Sequence, residues 1–367
     1  MSRPCHDMSS RRRVRRGAAL ACVFAGVLAT GAATGSWPEA ADGTELTAGG
    51  DAGQVVSRSG DPWAAAYSAE EYEEVAQRLD GEYVGTGIAV IRTADGRIEV
   101  SEVHAGSPAE RAGIRPGDEI RTIDGTGLDG RPVTDAVERL RGSDQAEQAG
   151  PGSTVLLGLE RDGRAWETDV ERARLSVEPV TVDRDVPGVT RIHVSAFTRG
   201  SAEALRSAVE ALPEGDRILL DLRGNAGGLL TEAADAASVF LDGGLVATYD
   251  VYGTEHALHA ERGGDTATPL VVLVDGGTMS SAELLTGALQ ERNRAVIVGS
   301  RTFGKGTVQM PSEQPDGSVA ELTVGHYATP SGRTVDDGGI VPDLVVDAGE
   351  DAEAEARTVL DGLAAGR

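Results

Sequence analysis

Cysteine is nearly absent from this chain of 367 residues. Its two cysteines, Cys5 and Cys22, both lie within the first 35 residues, so the remainder can form neither a disulfide nor a thiolate metal site. Catalysis by a thiol is excluded there for the same reason. The six histidines are scattered and form no His-Glu-x-x-His pattern. The pair His256 and His259 is better explained as part of a solvated loop than as metal ligands, so we expect no metal and no other cofactor.

Lysine is rarer still, because Lys305 is the single lysine among the 34 basic residues. Arginine stays protonated at any working pH, whereas a desolvated lysine can lose its proton and act as a base. The flanking residues Gly304 and Gly306 would let a backbone or a substrate approach closely. Lys305 is therefore a candidate general base, and a surface lysine is the alternative that this observation alone leaves open.

Positive charge as a whole is scarce, with 34 Lys+Arg against 59 Asp+Glu and a net charge of −25. A protein that binds nucleic-acid phosphates needs a basic face, so we expect no nucleic-acid partner. Neither a GxxxxGK[ST] loop nor a GxGxxG fingerprint is present, which disfavours nucleotide binding. The hydrophobic content of 40% is that of a globular protein, and the length predicts roughly two domains.

The N-terminus carries the one basic cluster of the chain. Five arginines between positions 11 and 16 precede an uncharged stretch of small and apolar residues, which predicts an export signal or membrane anchor over 1–35. The protein is therefore expected outside the cytoplasm, either secreted or anchored through a membrane tether at 17–35. Residues 36–60 are rich in Gly, Ala, Asp and Ser, and they predict a disordered linker.

The rest of the chain divides by composition into four segments. These are an N-terminal helical segment at 61–82, a mainly-β module at 83–172, a domain of alternating strands and helices at 173–347, and an acidic tail, expected as an exposed helix, at 348–367. The continuous apolar run LVVLV at 270–274 predicts a strand covered on both faces, hence a layered α/β fold for the third segment. The polar stretch Ser143–Gly152 is predicted to be a solvated loop.

Two glycine-rich turns follow apolar strands in the α/β segment. In LVVLVDGGTMSSAE, a strand ends in glycines and a helix begins at the serines, where the helix dipole and free N–H groups would stabilise negative charge. Thr278, Ser280 and Ser281 are all candidates for a nucleophile, and an ordinary helix cap is the alternative. The turn DLRGNAGG at 221–228 could supply the N–H groups of an oxyanion hole or a phosphate site.

Together these segments resemble the C-terminal processing peptidases, or tail-specific proteases, which are serine proteases with a Ser-Lys catalytic pair. LRGNAGG, GTMSSAE and TFGKGTVQ occur in the order that the family has, and the resemblance spans about 67–347. It implies a layered α/β protease core of the crotonase/ClpP-like type with an inserted mainly-β domain.

The resemblance also implies the roles of individual residues. Glu283 and Lys305 lie three and 25 residues after Ser280, which is the spacing of the family's nucleophile. Lys305 would be the general base, activated by burial against Phe303, and Gln309 would position the lysine. The implied oxyanion donors are the backbone N–H groups of Gly228 and Ser281.

The module at 83–172 resembles a PDZ domain. Its YVGTGI segment matches the carboxylate-binding loop, and SPAERAGIRPGDEIRTIDG matches the helix, turn and strand that follow. The resemblance implies that a peptide adds as an extra strand and that its C-terminal carboxylate is held by successive backbone N–H groups. The implied binding residues are Gly85, Thr86, Gly87 and Ile88, and the implied partners are the C-terminal tails of protein or peptide substrates.

Three functions compete at this point. The first is an exported Ser-Lys endopeptidase that cleaves proteins at or near their C-terminal tails. The second is a catalytically silent PDZ adaptor that binds tails without cutting them. The third is a crotonase-like acyl-CoA enzyme, a function that would not explain the PDZ module. The sequence indicates no oligomeric state.

Overall fold

The computed structural model of the protein describes residues 51–93, 95–142, 150–336, 338–347 and 349–365. The predicted export signal, most of the predicted linker and residues 143–149 of the polar stretch lie outside these ranges. Across the described part of the chain, no helix combines the length and the apolar character needed to cross a bilayer.

Helices and strands follow one another along the described chain in two runs. The first run is α1 (Ala52–Ser59), β1 (Ala65–Tyr67), α2 (Ala69–Leu79), β2 (Glu82–Gly85), β3 (Ile88–Arg92), β4 (Ile98–Val103), α3 (Pro108–Arg111), β5 (Glu119–Ile123), β6 (Thr126–Gly127), α4 (Val133–Arg141), β7 (Thr154–Arg161), β8 (Arg164–Glu171) and β9 (Ala173–Ser176). The second run is β10 (Val180–Val186), β11 (Val189–Val194), α5 (Ser201–Glu210), β12 (Arg217–Asp221), α6 (Leu230–Phe240), β13 (Leu245–Val251), β14 (Thr254–His259), β15 (Leu270–Val274), α7 (Ser281–Glu291), β16 (Val296–Gly299), β17 (Thr307–Glu313), β18 (Val319–Ala328), β19 (Leu344–Val345) and α8 (Ala352–Ala365).

A six-stranded sheet with the order β10-β11-β12-β15-β16-β19 forms the centre of the second run. The strands β11, β12, β15 and β16 are parallel, whereas β10 pairs antiparallel with β11. All five residues of β15 are buried because helices cover both faces of the sheet. Val272 packs with α5, α6 and α7, whereas its neighbour Val271 packs against α8. The sheet is therefore the middle layer of a mixed α/β core.

The acidic C-terminal segment packs against this sheet. Ala356 and Leu360 of α8 are fully buried, together with Leu219 and Val271 of the sheet. The tail at 348–367 was predicted to be an exposed helix. The predicted exposure is wrong, because two apolar side chains four residues apart cover the second face of the sheet.

The mainly-β part has a core of its own, in which Ile120 and Leu157 of the strands pack with Ala136 of α4. Its sheet has the order β3-β4-β5-β7-β8, with β6 paired to β5. β3 is an edge strand of this sheet, and α4 packs close to it. β2 and β9 pair as a separate two-stranded ribbon at the ends of the module.

A small antiparallel sheet is built around β18, which pairs with β1, β13 and β17. Glu321 of β18 lies opposite Ala65 of β1 on one side and opposite Pro311 of β17 on the other. The segment that precedes β17 carries Lys305, so this sheet connects the N-terminal residues to the candidate base.

Two predictions for the N-terminal part are corrected by this sheet. Residues 52–59, predicted as the end of the disordered linker, form α1, because Asp51 caps it by accepting the N–H of Gln54 (2.8 Å) and its apolar side packs against Ala320. The predicted helical segment at 61–82 contains strand β1 as well as α2. Both α1 and β1 contact β18, which lies far away in the sequence.

Candidate active site

The turn after β12 and the turn after β15 meet at one edge of the parallel sheet, because the carboxyl ends of parallel strands lie side by side. The carboxylate of Asp275 accepts N–H bonds from Gly224 and from Gly277 (both 2.9 Å) and so joins the two turns. The N–H of Met279 donates to the carbonyl of Asn225 (2.9 Å) at the same contact. The two glycine-rich segments singled out in the sequence are thus brought together.

Three hydroxyl side chains lie at this junction, and only one of them is free. The Thr278 hydroxyl donates to the carbonyl of Leu222 (2.9 Å), and the Ser281 hydroxyl donates to the carbonyl of Gly228 (2.7 Å). Ser280 Oγ is buried and has no hydrogen-bond partner among the described residues. Of the three candidates, Ser280 therefore has the hydroxyl that is left for chemistry.

The backbone of Ser280 is strained. Its φ of 54° and ψ of −118° belong to a region that residues with a side chain rarely adopt. Two hydrogen bonds hold it there, one from its own N–H to Glu283 Oε2 (2.9 Å) and one from the Tyr327 hydroxyl to its carbonyl (3.0 Å). Because α7 begins at the next residue, the hydroxyl lies at a helix N-terminus after a sharp strand-to-helix turn.

Glu283 is a residue whose structural role the sequence did not reveal. Its buried carboxylate accepts the N–H groups of Ser280 (2.9 Å), Gly304 (2.7 Å) and Lys305 (2.9 Å) and the hydroxyl of Thr302 (2.5 Å). Burial raises the pKa of Glu283, and these bonds oppose that change by favouring the charged form. One carboxylate thus binds the candidate nucleophile's segment to that of the candidate base. The sequence signal was present, since an acidic residue in the first turn of a helix commonly accepts backbone N–H bonds.

Lys305 is almost completely buried, with 4% of its surface exposed. Its Nζ donates to Gln309 Oε1 (2.7 Å) and lies 5.1 Å from the centre of the Trp63 ring. The amide nitrogen of Gln309 donates to the carbonyl of Trp63, which fixes the amide with its oxygen toward the lysine. Burial lowers the pKa of Lys305. An environment of this kind favours a neutral amine.

The aromatic residue beside this amine differs from the one expected. Phe303 remains 47% exposed and makes an edge-to-face contact with Trp63 at a centroid distance of 5.9 Å. Trp63, from the segment before β1, is therefore the ring that covers Lys305. The local sequence could not reveal it, because the contact depends on the pairing of β1 with β18.

The turn at Gly228, the predicted oxyanion hole, lies against Ser280. Gly228 has a φ of 136°, and a Cβ there would lie 2.2 Å from the carbonyl oxygen of Phe197, so only glycine fits. A Cβ on Gly227 would lie 3.1 Å from Ser280 Cβ, which puts the turn directly against the candidate nucleophile. Within the described ranges, the N–H groups of Gly228 and Ser281 donate to no acceptor. They are free to bind negative charge.

The predicted carboxylate-binding loop lies between β2 and β3. The carbonyls of Thr86 and Gly87 accept the N–H groups of Ala109 (3.0 Å) and His104 (2.9 Å), whereas the N–H groups of Thr86 and Gly87 have no acceptor among the residues described. Gly85 is the last residue of β2 and Ile88 is the first of β3, so all four predicted residues are contiguous with the edge strand. The Tyr83 hydroxyl bonds to Nδ1 of His104 (3.0 Å) beside the loop, a contact that the sequence did not indicate.

His256 and His259 lie on strand β14, not in the loop that was expected. Both are exposed, and His256 stacks on Tyr249 with ring centres 5.1 Å apart. In the part of the chain that the structure describes, no group of three or more His, Cys, Asp or Glu residues could hold a metal ion.

Comparisons with known proteins agree with this architecture. The model of peptidase family S41 matches residues 188–346, and the PDZ domain model matches residues 75–148. The class is therefore that of serine-type peptidases with a PDZ domain. The chain is 32% identical over 308 residues to the carboxy-terminal processing protease CtpA of Bacillus subtilis (strain 168), which covers 83% of this chain and 64% of the relative.

The chain belongs to the carboxy-terminal processing proteases of peptidase family S41. It is 34% identical over 304 residues to the carboxyl-terminal-processing protease of Synechocystis sp. (strain ATCC 27184 / PCC 6803 / Kazusa), a match over 80% of this chain and 70% of that protein. The solved structure of a photosystem II D1 C-terminal processing protease is similar as well, with a TM-score of 0.50, 28% identity and 83% of each chain covered. The chain spans less than two thirds of the length of the Bacillus subtilis relative.

Proposed function

We propose that the protein is an exported serine endopeptidase that cleaves protein substrates at or near C-terminal tails bound by its PDZ domain. The observation that carries the proposal is that Glu283 joins the segment of Ser280, whose buried hydroxyl has no partner among the described residues, to the segment of the single lysine of the chain. Burial lowers the pKa of that lysine, which favours its use as a base.

In the proposed reaction, Ser280 Oγ attacks the scissile carbonyl while neutral Lys305 takes the serine proton. The N–H groups of Gly228 and Ser281 bind the oxyanion that forms. Protonated Lys305 then gives its proton to the leaving amine, and water, deprotonated by the same lysine, hydrolyses the acyl-enzyme. Gln309 keeps the amine oriented through the 2.7 Å bond from Nζ.

The geometry also defines what has to change when a substrate binds. Lys305 Nζ donates to Gln309, and Ser280 Oγ has no partner within the described residues, so the nucleophile and the base are not yet hydrogen-bonded. Catalytic hydrogen bonds are commonly long in a free enzyme and tighten in its substrate complex. We propose that the Ser-Lys bond forms by movement of the lysine side chain, while the bond from the Lys305 N–H to Glu283 (2.9 Å) holds its backbone.

Recruitment by the PDZ domain is supported by the free N–H groups of Thr86 and Gly87 and by the exposed edge of β3 beside α4. A tail that pairs with β3 would present its terminal carboxylate to these donors. Export, as a secreted protein or through a membrane tether at 17–35, is supported by the arginine cluster and the apolar stretch after it. The layered core supports the further prediction of a crotonase/ClpP-like fold.

The test is an intact-mass time course on a model protein with an apolar C-terminal tail. We expect truncation by the unmodified protein and a loss of at least about 10³-fold in Ser280→Ala. Ser207→Ala is the matched control, because this exposed serine lies on α5 outside the proposed site and the variant should retain the activity. Cleavage by Ser280→Ala at the original rate would exclude Ser280 as the nucleophile. Tail binding without truncation would favour the silent adaptor.

A second substrate isolates the PDZ contribution. The same tail with a C-terminal amide lacks the carboxylate that the free N–H groups would bind, so we expect cleavage to slow by about tenfold through KM. Equal rates for the acid and the amide would remove carboxylate recognition from the proposal and leave the catalytic part intact.

A further inference from the structure

Glu321 is a buried carboxyl group that the proposed mechanism leaves without a use. It lies in the middle of β18 and has no exposed surface. Its Oε2 accepts a hydrogen bond from the Tyr67 hydroxyl (3.3 Å), whereas its Oε1 is buried without a partner among the described residues. A carboxylate with an unpaired oxygen is costly to bury, so its presence requires an explanation from its surroundings.

The strand register puts Glu321 beside the candidate base. Gln309 of β17 lies opposite Thr323 of β18, two residues from Glu321, so the side chains of Gln309 and Glu321 project from the same face of the sheet as diagonal neighbours. Gln309 in turn accepts the hydrogen bond from Lys305 Nζ. Within the described residues no ion pair joins Lys305 to Glu321, and the charge on Glu321 acts on the lysine through space.

We propose that Glu321 is a positioning residue whose charge sets the proton affinity of Lys305 and thereby the pH range in which the peptidase works. A negative Glu321 stabilises the ammonium form of the lysine, which cannot act as a base. A protonated Glu321 removes that stabilisation and favours the neutral amine. The inference rests on the proposed role of Lys305 as the general base.

The electrostatics of the site support this coupling. Burial raises the pKa of Glu321 to about 7, so its charge changes in the range where peptidases operate. The same carboxyl raises the pKa of Lys305 against the lowering effect of burial. The other titratable groups around the pair come from several elements: Asp61 before β1, Tyr67 on β1, Tyr72 on α2, Glu283 on α7 through the backbone of Lys305, and Glu313 on β17 through Tyr72.

The single lysine of the chain makes a direct test possible. The chain of 367 residues, labelled with [ε-¹³C]lysine, gives one resonance, which reports Lys305 without further assignment. In the unmodified protein we expect this resonance to titrate in two steps, one of them near pH 7 from Glu321. In Glu321→Gln the step near pH 7 should disappear, and the midpoint of Lys305 itself should fall by about one pH unit.

Glu313→Gln is the matched control, because Glu313 lies on the paired strand but is exposed. Its lysine titration should match that of the unmodified protein. An unchanged titration in Glu321→Gln would overturn the proposal. The titration does not require the protein to be active, so it separates a failure of this coupling from a failure of the peptidase hypothesis.

A second variant covers the case in which Glu321→Gln does not fold. Tyr67→Phe removes the hydrogen bond that favours the charged form of Glu321, so the step near pH 7 should move to higher pH. The activity of Glu321→Gln gives a second readout where cleavage is present. The acid limb of its kcat/KM profile should move to lower pH by the same amount as the midpoint of Lys305, and the kcat/KM reached at the plateau should stay unchanged. A uniform loss of kcat at all pH values would indicate a purely structural role and contradict the proposal.

Discussion

Glu283 and Glu321 are two fully buried carboxyl groups near the same lysine, and they differ in the number of hydrogen bonds that they accept. Glu283 accepts four, three of them from backbone N–H groups, and holds two segments of the chain together. Glu321 accepts one, from Tyr67, and its second oxygen has no partner in the described structure. Burial raises the pKa of both, but only Glu283 has a full set of bonds to oppose the change. Equal burial can thus produce a structural clamp in one place and a titrating charge in another.

Lys305→Arg should have the largest effect, because it changes the cation near both carboxyl groups. Arginine cannot supply a neutral base, so kcat should fall by at least about 10³-fold at every pH. The measurement is an intact-mass assay together with a thermal unfolding curve. Lys305→Met, which has a similar length and no charge, is the control for packing. Substantial activity in the arginine variant would exclude Lys305 as the base.

Glu283→Gln should have the next largest effect, now on stability as well as activity. The amide keeps one acceptor oxygen but turns an NH₂ group toward backbone N–H donors, so we expect the free energy of unfolding to fall by about 4 kcal/mol. Denaturant unfolding measures this change. Glu291→Gln on the same helix is the control, because the carboxylate of Glu291 accepts hydrogen bonds from Thr329 and Ser331 instead of from the segments of Ser280 and Lys305. Equal losses of activity in the two variants would contradict the clamp.

Glu321→Gln should have the smallest effect on stability, and the effect should depend on pH. The pKa of Glu321 rises on folding from 4.5 to about 7, so the folded state holds its proton more tightly than the unfolded state does. The unmodified protein therefore loses stability as the pH rises between these two values, whereas the variant lacks this loss. The difference should reach at most about 3 kcal/mol in favour of the variant and stay constant above pH 7. Unfolding curves at pH 4.5, 6 and 8 measure it, and a pH-independent difference would contradict the assigned titration.

The comparison also explains which parts of the site could be predicted. Ser280, Lys305 and Gln309 occur in short motifs, where a strand, a turn and a helix follow within a few residues, and such patterns depend on local propensity. Their catalytic roles stay predictions. Glu283 appeared in the sequence only as a marker of spacing, because the donors at Gly304 and Lys305 come from another segment. Glu321 had no signal at all, since nothing local distinguishes it from an exposed strand residue.

The errors in the predicted fold also arise from contacts between segments that lie far apart in the sequence. Residues 52–59 were predicted as linker because a segment with few apolar residues cannot form a core alone, yet Ala52, Val55 and Val56 suffice when β18 supplies the other surface. The tail helix was expected to be exposed because its composition is acidic, although Ala356 and Leu360 cover the sheet. Phe303 was expected to bury Lys305 because the two residues are close in sequence. Trp63, from the N-terminal part of the chain, covers the lysine instead.

By itself, the sequence determined the family motifs, the layered α/β core, the position of the strained serine turn and the single lysine, because each of these depends on periodicity or on a few consecutive residues. Only the tertiary structure decided which hydroxyl remained free, which ring covered the amine and which carboxyl groups surrounded it. Gln309 and the carbonyl of Trp63, 246 residues apart, meet only after β1 has paired with β18. The proton affinity of Lys305 depends on such contacts, because burial and nearby charge are properties of the folded chain.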